Sequence, residues 1–169
     1  SSTTFWIENA TMEMNHAGGY GGSGMYVSQF SNGYFTNVLI NNNDNPVIGT
    51  NSSGTLSLTN SIISNNQNNG DVTLTSHGKS IFLDNVKYIN NGGIGHLISD
   101  VHYNNVTFSG NNNFEIICSE GGGYTCNVEI TNSIIWDNNY SQDQYISVTE
   151  GHSTSLINNI CFLDFSPRN

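Results

Sequence analysis

Apolar residues in this chain come in short groups bracketed by Asn, Ser, Thr and Gly, and the groups recur. Aligned on one Asn, the chain reads IENATMEMN from Ile7, FTNVLINNN from Phe35, LTNSIISNN from Leu58 and LDNVKYINN from Leu83. Three further copies read YNNVTFSGN from Tyr103, ITNSIIWDN from Ile130 and INNICFLDF from Ile157. The shared order is apolar, polar, Asn, small, variable, apolar, two variable, Asn. The lead residues are Asn9, Asn37, Asn60, Asn85, Asn105, Asn132 and Asn159, spaced by 20 to 28 residues. Three positions later stand Met12, Ile40, Ile63, Tyr88, Phe108, Ile135 and Phe162, none of them charged. Seven registers agreeing at three columns make a repeat, not an accident of composition.

Between the copies lie short stretches with β-branched or aromatic residues in alternation: MYVS at Met25, VIGT at Val47, VTLT at Val72, HLIS at His96, EIIC at Glu115 and YISV at Tyr145. Alternation of this kind predicts strands. No window sustains a 3.6-residue apolar period, so helix is expected to be minimal. A repeat this short, built from strands and Asn/Gly turns, predicts an all-β parallel solenoid of about seven rungs, one domain over residues 1–169. With about 4.8 Å between parallel strands, seven rungs make a rod roughly 30 Å long. The interval from Asn85 to Asn105 is the shortest and predicts minimal loops. The interval from Asn105 to Asn132 carries CSEGGGYTC, expected as a protrusion, and HAGGYGGSG reads as a surface turn.

Composition narrows the partners. Only 9% of the 169 residues are charged, so solubility rests on neutral polar side chains. The net charge is −10, with Lys79, Lys87 and Arg168 as the fixed cations, which argues against nucleic acid and against anionic membrane surfaces. No apolar run is long enough for a membrane-spanning helix, so no membrane insertion is expected. The N-terminus SSTTFWIEN lacks signal-peptide architecture and reads as a mature product or a piece of something larger. Cys118 and Cys126 flank the glycine-rich loop and are expected to pair, in a secreted or cell-surface setting. Cys161 is left over, available to a partner outside this segment.

The rungs resemble the right-handed parallel β-helix superfamily that includes pectate lyases, tailspikes and autotransporter passenger domains. The pairing of GGSGMYVS (residues 21–28) with VTFSGN (residues 106–111) is similar to the repeat motifs of chlamydial polymorphic outer-membrane proteins, GGA followed by an aliphatic residue and FxxN. The resemblance implies that the lead Asn residues turn inward as a ladder and bond one another's backbones. Asn is suited to such a column because it tolerates the left-handed conformation and satisfies turn amides.

Candidate chemistry is sparse. A polyuronate lyase of this architecture needs clustered carboxylates and a base on an outward face, and Asp84 with Lys87 supplies one of each, read as a surface ion pair. Asp137 and Asp164 share a column one rung apart, a spacing that suits a retaining glycosidase pair. That column is a turn, where Asp serves geometry. His16, His77, His96, His102 and His152 share no column, so no metal site is expected, and no cofactor motif is present. Sequons occur at Asn9, Asn51, Asn105 and Asn139. Asn51 and Asn139 fall in turns and are the candidate glycan carriers; an inward ladder would leave Asn9 and Asn105 unmodified.

The expectation is a non-catalytic extracellular β-solenoid, a structural or adhesive rod that self-associates or stacks on neighbouring domains of its own chain. Leu39, Ile62, Ile134 and Trp136 are expected as an outward apolar group. The rival is a carbohydrate-active β-helix, lyase, hydrolase or glycan-binding module, with Trp136, Tyr140 and Tyr145 stacking on sugars.

Overall fold

A computed structural model describes residues 3–16, 25–27, 31–44, 48–51, 54–66, 72–77, 80–97, 100–112, 114, 116–118, 127–139, 146–148 and 154–163. The regular structure among them is strand throughout, arranged as a parallel β-solenoid with three sheets along its length. The first sheet stacks Thr3–Glu8, Ser31–Thr36, Thr55–Thr59, Ser80–Asp84, Asp100–Asn104, Asn127–Thr131 and Thr154–Asn158 in that order. The second stacks Thr11–Glu13, Leu39–Asn41, Ile62–Ser64, Lys87–Ile89, Thr107–Ser109, Ile134–Trp136 and Cys161–Leu163. The third holds Met25–Val27, Ile48–Asn51, Val72–His77, Gly93–Leu97, Ile116–Cys118 and Ile146–Val148. Each coil visits the sheets in turn, and each strand pairs in parallel with its counterparts in the coils on either side.

The copies seen in the sequence begin late in each coil. Five or six residues before the lead Asn already form the first-sheet strand, and their alternation is clean. Leu56 and Leu58, Ile81 and Leu83, Val101 and Tyr103, and Val128 and Ile130 point inward in register. Ile40, Ile63, Tyr88, Phe108 and Ile135 form the inward column of the second sheet. The third sheet adds Val27, Ile48, Leu74, Ile94 and Ile116, and all these residues merge in one continuous core. Stacking like on like is what lets rungs too small to fold alone share a core.

The core is widest in aromatic volume where the coil is shortest. Phe108 packs against Tyr88, Tyr103 and Phe114 at ring-centroid distances of 5.8, 5.4 and 5.1 Å. Tyr88 donates its hydroxyl hydrogen to the Gly92 carbonyl at 3.2 Å, but the buried Tyr103 hydroxyl has no partner. Burial drives the Tyr103 phenol well above the ordinary tyrosine range, so it stays neutral. Near the N-terminal coil, Phe5 meets Phe35 edge to face at 5.6 Å. Gly33 makes room for that pair: a Cβ there would sit 2.8 Å from each ring and 3.0 Å from Val27.

Two outcomes follow for stability. Tyr103→Phe removes an unpaired buried hydroxyl and should raise the unfolding free energy by about 1 kcal/mol. It should also abolish the part of the alkaline destabilisation that Tyr103 contributes, because a phenol held neutral in the folded state loses stability as pH rises past its ordinary value of about 10. Gly33→Val should cost about 1–3 kcal/mol by overpacking the Phe5–Phe35 contact. Denaturant unfolding of the two variants, with pH varied for the first, checks both.

Candidate functional site

Among the described residues two corners recur from coil to coil, on either side of the second-sheet strand, and both follow one rule. The residue at the corner adopts the left-handed conformation and points outward, and the residue after it points inward. At the first corner the left-handed residues are the seven lead asparagines, with φ between 51° and 55°. At the second they are Met14, Asn42, Asn65, Asn90, Gly110 and Asp137. Ten of the twelve described non-glycine residues with positive φ are Asn, the residue that adopts this conformation most readily after Gly. Gly110 fits the same column with φ of 63°, where a Cβ would collide with the Asn90 side-chain oxygen.

The lead asparagines therefore stand outside, exposed to solvent, and not inward as the resemblance implied. They still bond one another across coils. Asn37 Nδ2 donates to Asn9 Oδ1 at 3.1 Å, Asn85 to Asn60 at 2.7 Å, Asn105 to Asn85 at 3.1 Å and Asn159 to Asn132 at 3.1 Å. Asn132 departs from the line and donates to Asn104 Oδ1 at 3.0 Å. The premise that kept Asn9 and Asn105 free of glycan fails with the inward assignment, since both side chains face solvent.

The inward ladder lies six residues further on. Asn43, Asn66, Asn91, Asn111 and Asn138 are buried to 2% exposure or less. Asn66 is representative. Its Oδ1 accepts from the backbone N–H and the Nδ2 of Asn43, at 2.9 and 3.0 Å. Its own N–H and Nδ2 donate to Asn91 Oδ1 at 3.1 and 2.9 Å, and the second Nδ2 hydrogen reaches the Ile40 carbonyl at 3.1 Å. Asn111 repeats the pattern with Asn138 and the Tyr88 carbonyl. Both Nδ2 hydrogens and the acceptor oxygen are thus satisfied in a site with no water exposure.

Serine solves the matching problem at the first corner. Ser61 Oγ accepts from Val38 N–H at 3.1 Å and donates to the Thr59 carbonyl at 2.8 Å. Ser133 does the same for Val106 N–H and the Thr131 carbonyl, at 3.0 and 2.7 Å. The near-identical phrases LTNSII and ITNSII share this local job.

The charged candidates scatter or pair structurally. Asp84 ends a first-sheet strand and Lys87 begins a second-sheet strand, with the Asn85–Val86 corner between them, and they form no ion pair. Asp84 accepts from Asn104 Nδ2 at 2.7 Å instead. Asp100 accepts from Asn127 Nδ2 at 2.8 Å, and Glu129 pairs with His102 Nδ1 at 3.0 Å. The ion pairs among the described residues are this one and His16 with Asp44. Asp137 is a left-handed turn residue, and Asp164 lies outside the described residues. Among the described residues no three His, Cys, Asp or Glu side chains gather as a metal site would require.

Cys161 is exposed on the outer face of the second sheet, opposite Ile134. Cys118 ends a third-sheet strand, while Cys126, and with it the proposed pairing, lies outside the described residues. So do Tyr140, Tyr145 and the Asn51 side chain; Asn139 is exposed. Trp136 is outward and 45% exposed. The expected apolar group splits in two: Leu39 adjoins Ile62, and Ile134 shares a strand with Trp136, with Lys87 and Thr107 between the halves.

Sequence reading missed a feature of the first sheet. Its central outward column runs Trp6, Tyr34, Ser57, Phe82, His102, Glu129 and Leu156. Trp6 stacks on Tyr34 at 6.0 Å with 16° between planes, and Phe82 stacks on His102 at 4.6 Å with 5°. Polar columns border it, with Asn32, Thr55 and Ser80 on one side and Thr36, Thr59 and Asp84 on the other.

The two asparagine columns should respond differently to truncation. Asn91→Ala strips partners from Asn66 and from the Ile63 carbonyl and should cost about 3 kcal/mol or more, at about 1–3 kcal/mol per buried group left unpaired. Asn85→Ala removes an exposed side chain and should cost about 1–2 kcal/mol, the conformational penalty of a left-handed Ala. Met14→Asn should stabilise for the converse reason. Thermal unfolding of the three variants separates the columns.

Searches against protein-family models, curated proteins and solved structures give no match, so the parallel β-solenoid rests on this chain's own geometry.

Proposed function

We propose that the chain is a non-catalytic, extracellular β-solenoid of the right-handed parallel β-helix superfamily, serving as a structural or adhesive rod. The observation that carries this reading is how its polar side chains are used. The inner asparagines bond coil to coil, and the carboxylates of Asp84, Asp100 and Glu129 are each engaged by a side chain one coil away. Chemistry-bearing groups have become rungs. Self-association or stacking on neighbouring domains, with Cys161 available for an intermolecular bond, fits a surface fibre or coat. A Cys118–Cys126 disulfide and glycans on Asn51 or Asn139 belong to the same extracellular picture.

The alternative, a carbohydrate-active β-helix, draws support from the outward aromatic column, which offers sugars a stacking surface. A panel of plant, bacterial and algal polysaccharides incubated with the protein separates the readings. The expected outcome is no turnover, with electron microscopy of the native material showing rods or filaments. Turnover that disappears in Asp84→Ala or Asp137→Ala would overturn the structural reading.

A further inference from the structure

The aromatic column of the first sheet has a gap one coil deep. Trp6 covers one face of Tyr34, so the free face of Tyr34 looks along the column toward Ser57. His102 covers one face of Phe82, so its free face looks back toward Ser57 from the other side. Tyr34 and Phe82 are each 38% exposed, and Ser57 between them is too small to fill the space. Parallel strands lie about 4.8 Å apart, so the two rings face each other across roughly twice that distance. A ring lodged over Ser57 would stand about 4.8 Å from each neighbour, inside the roughly 4.5–7 Å range in which rings stack favourably.

We propose that this slot binds one pyranose ring of a neutral glycan. A pyranose carries C–H groups on both faces and hydroxyls around its rim. The slot has the complementary order: aromatic faces above and below, and side-chain hydroxyls of Thr55 and Thr59 on either flank of Ser57. A purely aromatic guest would use the faces and leave the polar flanks unmatched. Anionic sugars are disfavoured by Asp84 at the border of the slot and by the net charge of −10. The proposal rests on the adhesive form of the reading above and gives it a ligand class and a place, on the first sheet and away from Trp136.

Ser57→Phe is the decisive variant, because it fills the gap with a ring that continues the stack and leaves the core untouched. The native protein is applied to an array of neutral gluco-, manno- and galacto-oligosaccharides, with uronic-acid and sialylated glycans as the anionic arm. Hits are then measured as free oligosaccharides by calorimetry. Binding of at least one neutral glycan is expected, weakened about tenfold or more in Ser57→Phe, whose melting temperature should equal or exceed that of the native protein. Tyr34→Ala and Phe82→Ala should each weaken it as well. Neutral-glycan binding that survives Ser57→Phe overturns the slot and leaves the adhesive reading standing. Binding confined to anionic glycans, or to indole or p-cresol offered as free rings, overturns the ligand class. A native protein that binds no glycan overturns the slot and the glycan-adhesive reading together, while rods seen by microscopy would still support a structural role.

Discussion

A chain that coils through three sheets must bend. Backbone bonds between coils flank the bends, as from Asn37 N–H to the Thr59 carbonyl. The amide of the buried residue inside the bend is left to a side chain, as at Val38 and Asn43. An unpaired buried amide is costly enough that the corner, more than the strand, decides whether coils can stack. The inner asparagines meet that demand. Each side-chain oxygen accepts the previous coil's backbone N–H, while the two Nδ2 hydrogens reach the previous coil's carbonyl and the next coil's Asn oxygen, as in Asn66 and Asn111. Ser61 and Ser133 meet a smaller version of it with one hydroxyl. The apolar columns supply most of the driving force, but they could not be brought into register without these corners.

Asparagine is used twice per coil for different physical reasons. Outside, at Asn9 through Asn159, what matters is tolerance of positive φ, and the side-chain bonds are solvated and irregular, as the diversion of Asn132 to Asn104 shows. Inside, at Asn43 through Asn138, what matters is the amide's hydrogen-bonding valence. The outer column of the second corner accepts Met14, Gly110 and Asp137, whereas its inner neighbour is Asn in every buried coil described.

This double use explains what was legible in the sequence. The repeat period, the strand content and the inward column through Ile40, Ile63 and Tyr88 could be read directly, because alternation and spacing encode them. The side of the wall on which each Asn stands could not be read from alternation. Ile7 points in and Glu8 out, so strict alternation would put Asn9 inside; a left-handed residue resets the phase and puts Ala10 there instead. The aromatic column was hidden for another reason. Trp6, Tyr34, Phe82 and His102 each stand three residues before a lead Asn, one position upstream of the aligned copies, and Ser57, Glu129 and Leu156 in the same column dilute its aromatic character.

The inner ladder also has a direction. From Asn43 to Asn111, every backbone N–H in it donates toward the coil that follows. The rod is therefore a vector with distinguishable poles, and its amide dipoles add instead of cancelling. Two such rods cannot meet pole to like pole through this ladder with a two-fold axis between them, because donors would face donors or acceptors would face acceptors. A second copy that continues this ladder must add head to tail, a heterologous contact that leaves a site free at each step and builds an open filament in place of a closed dimer.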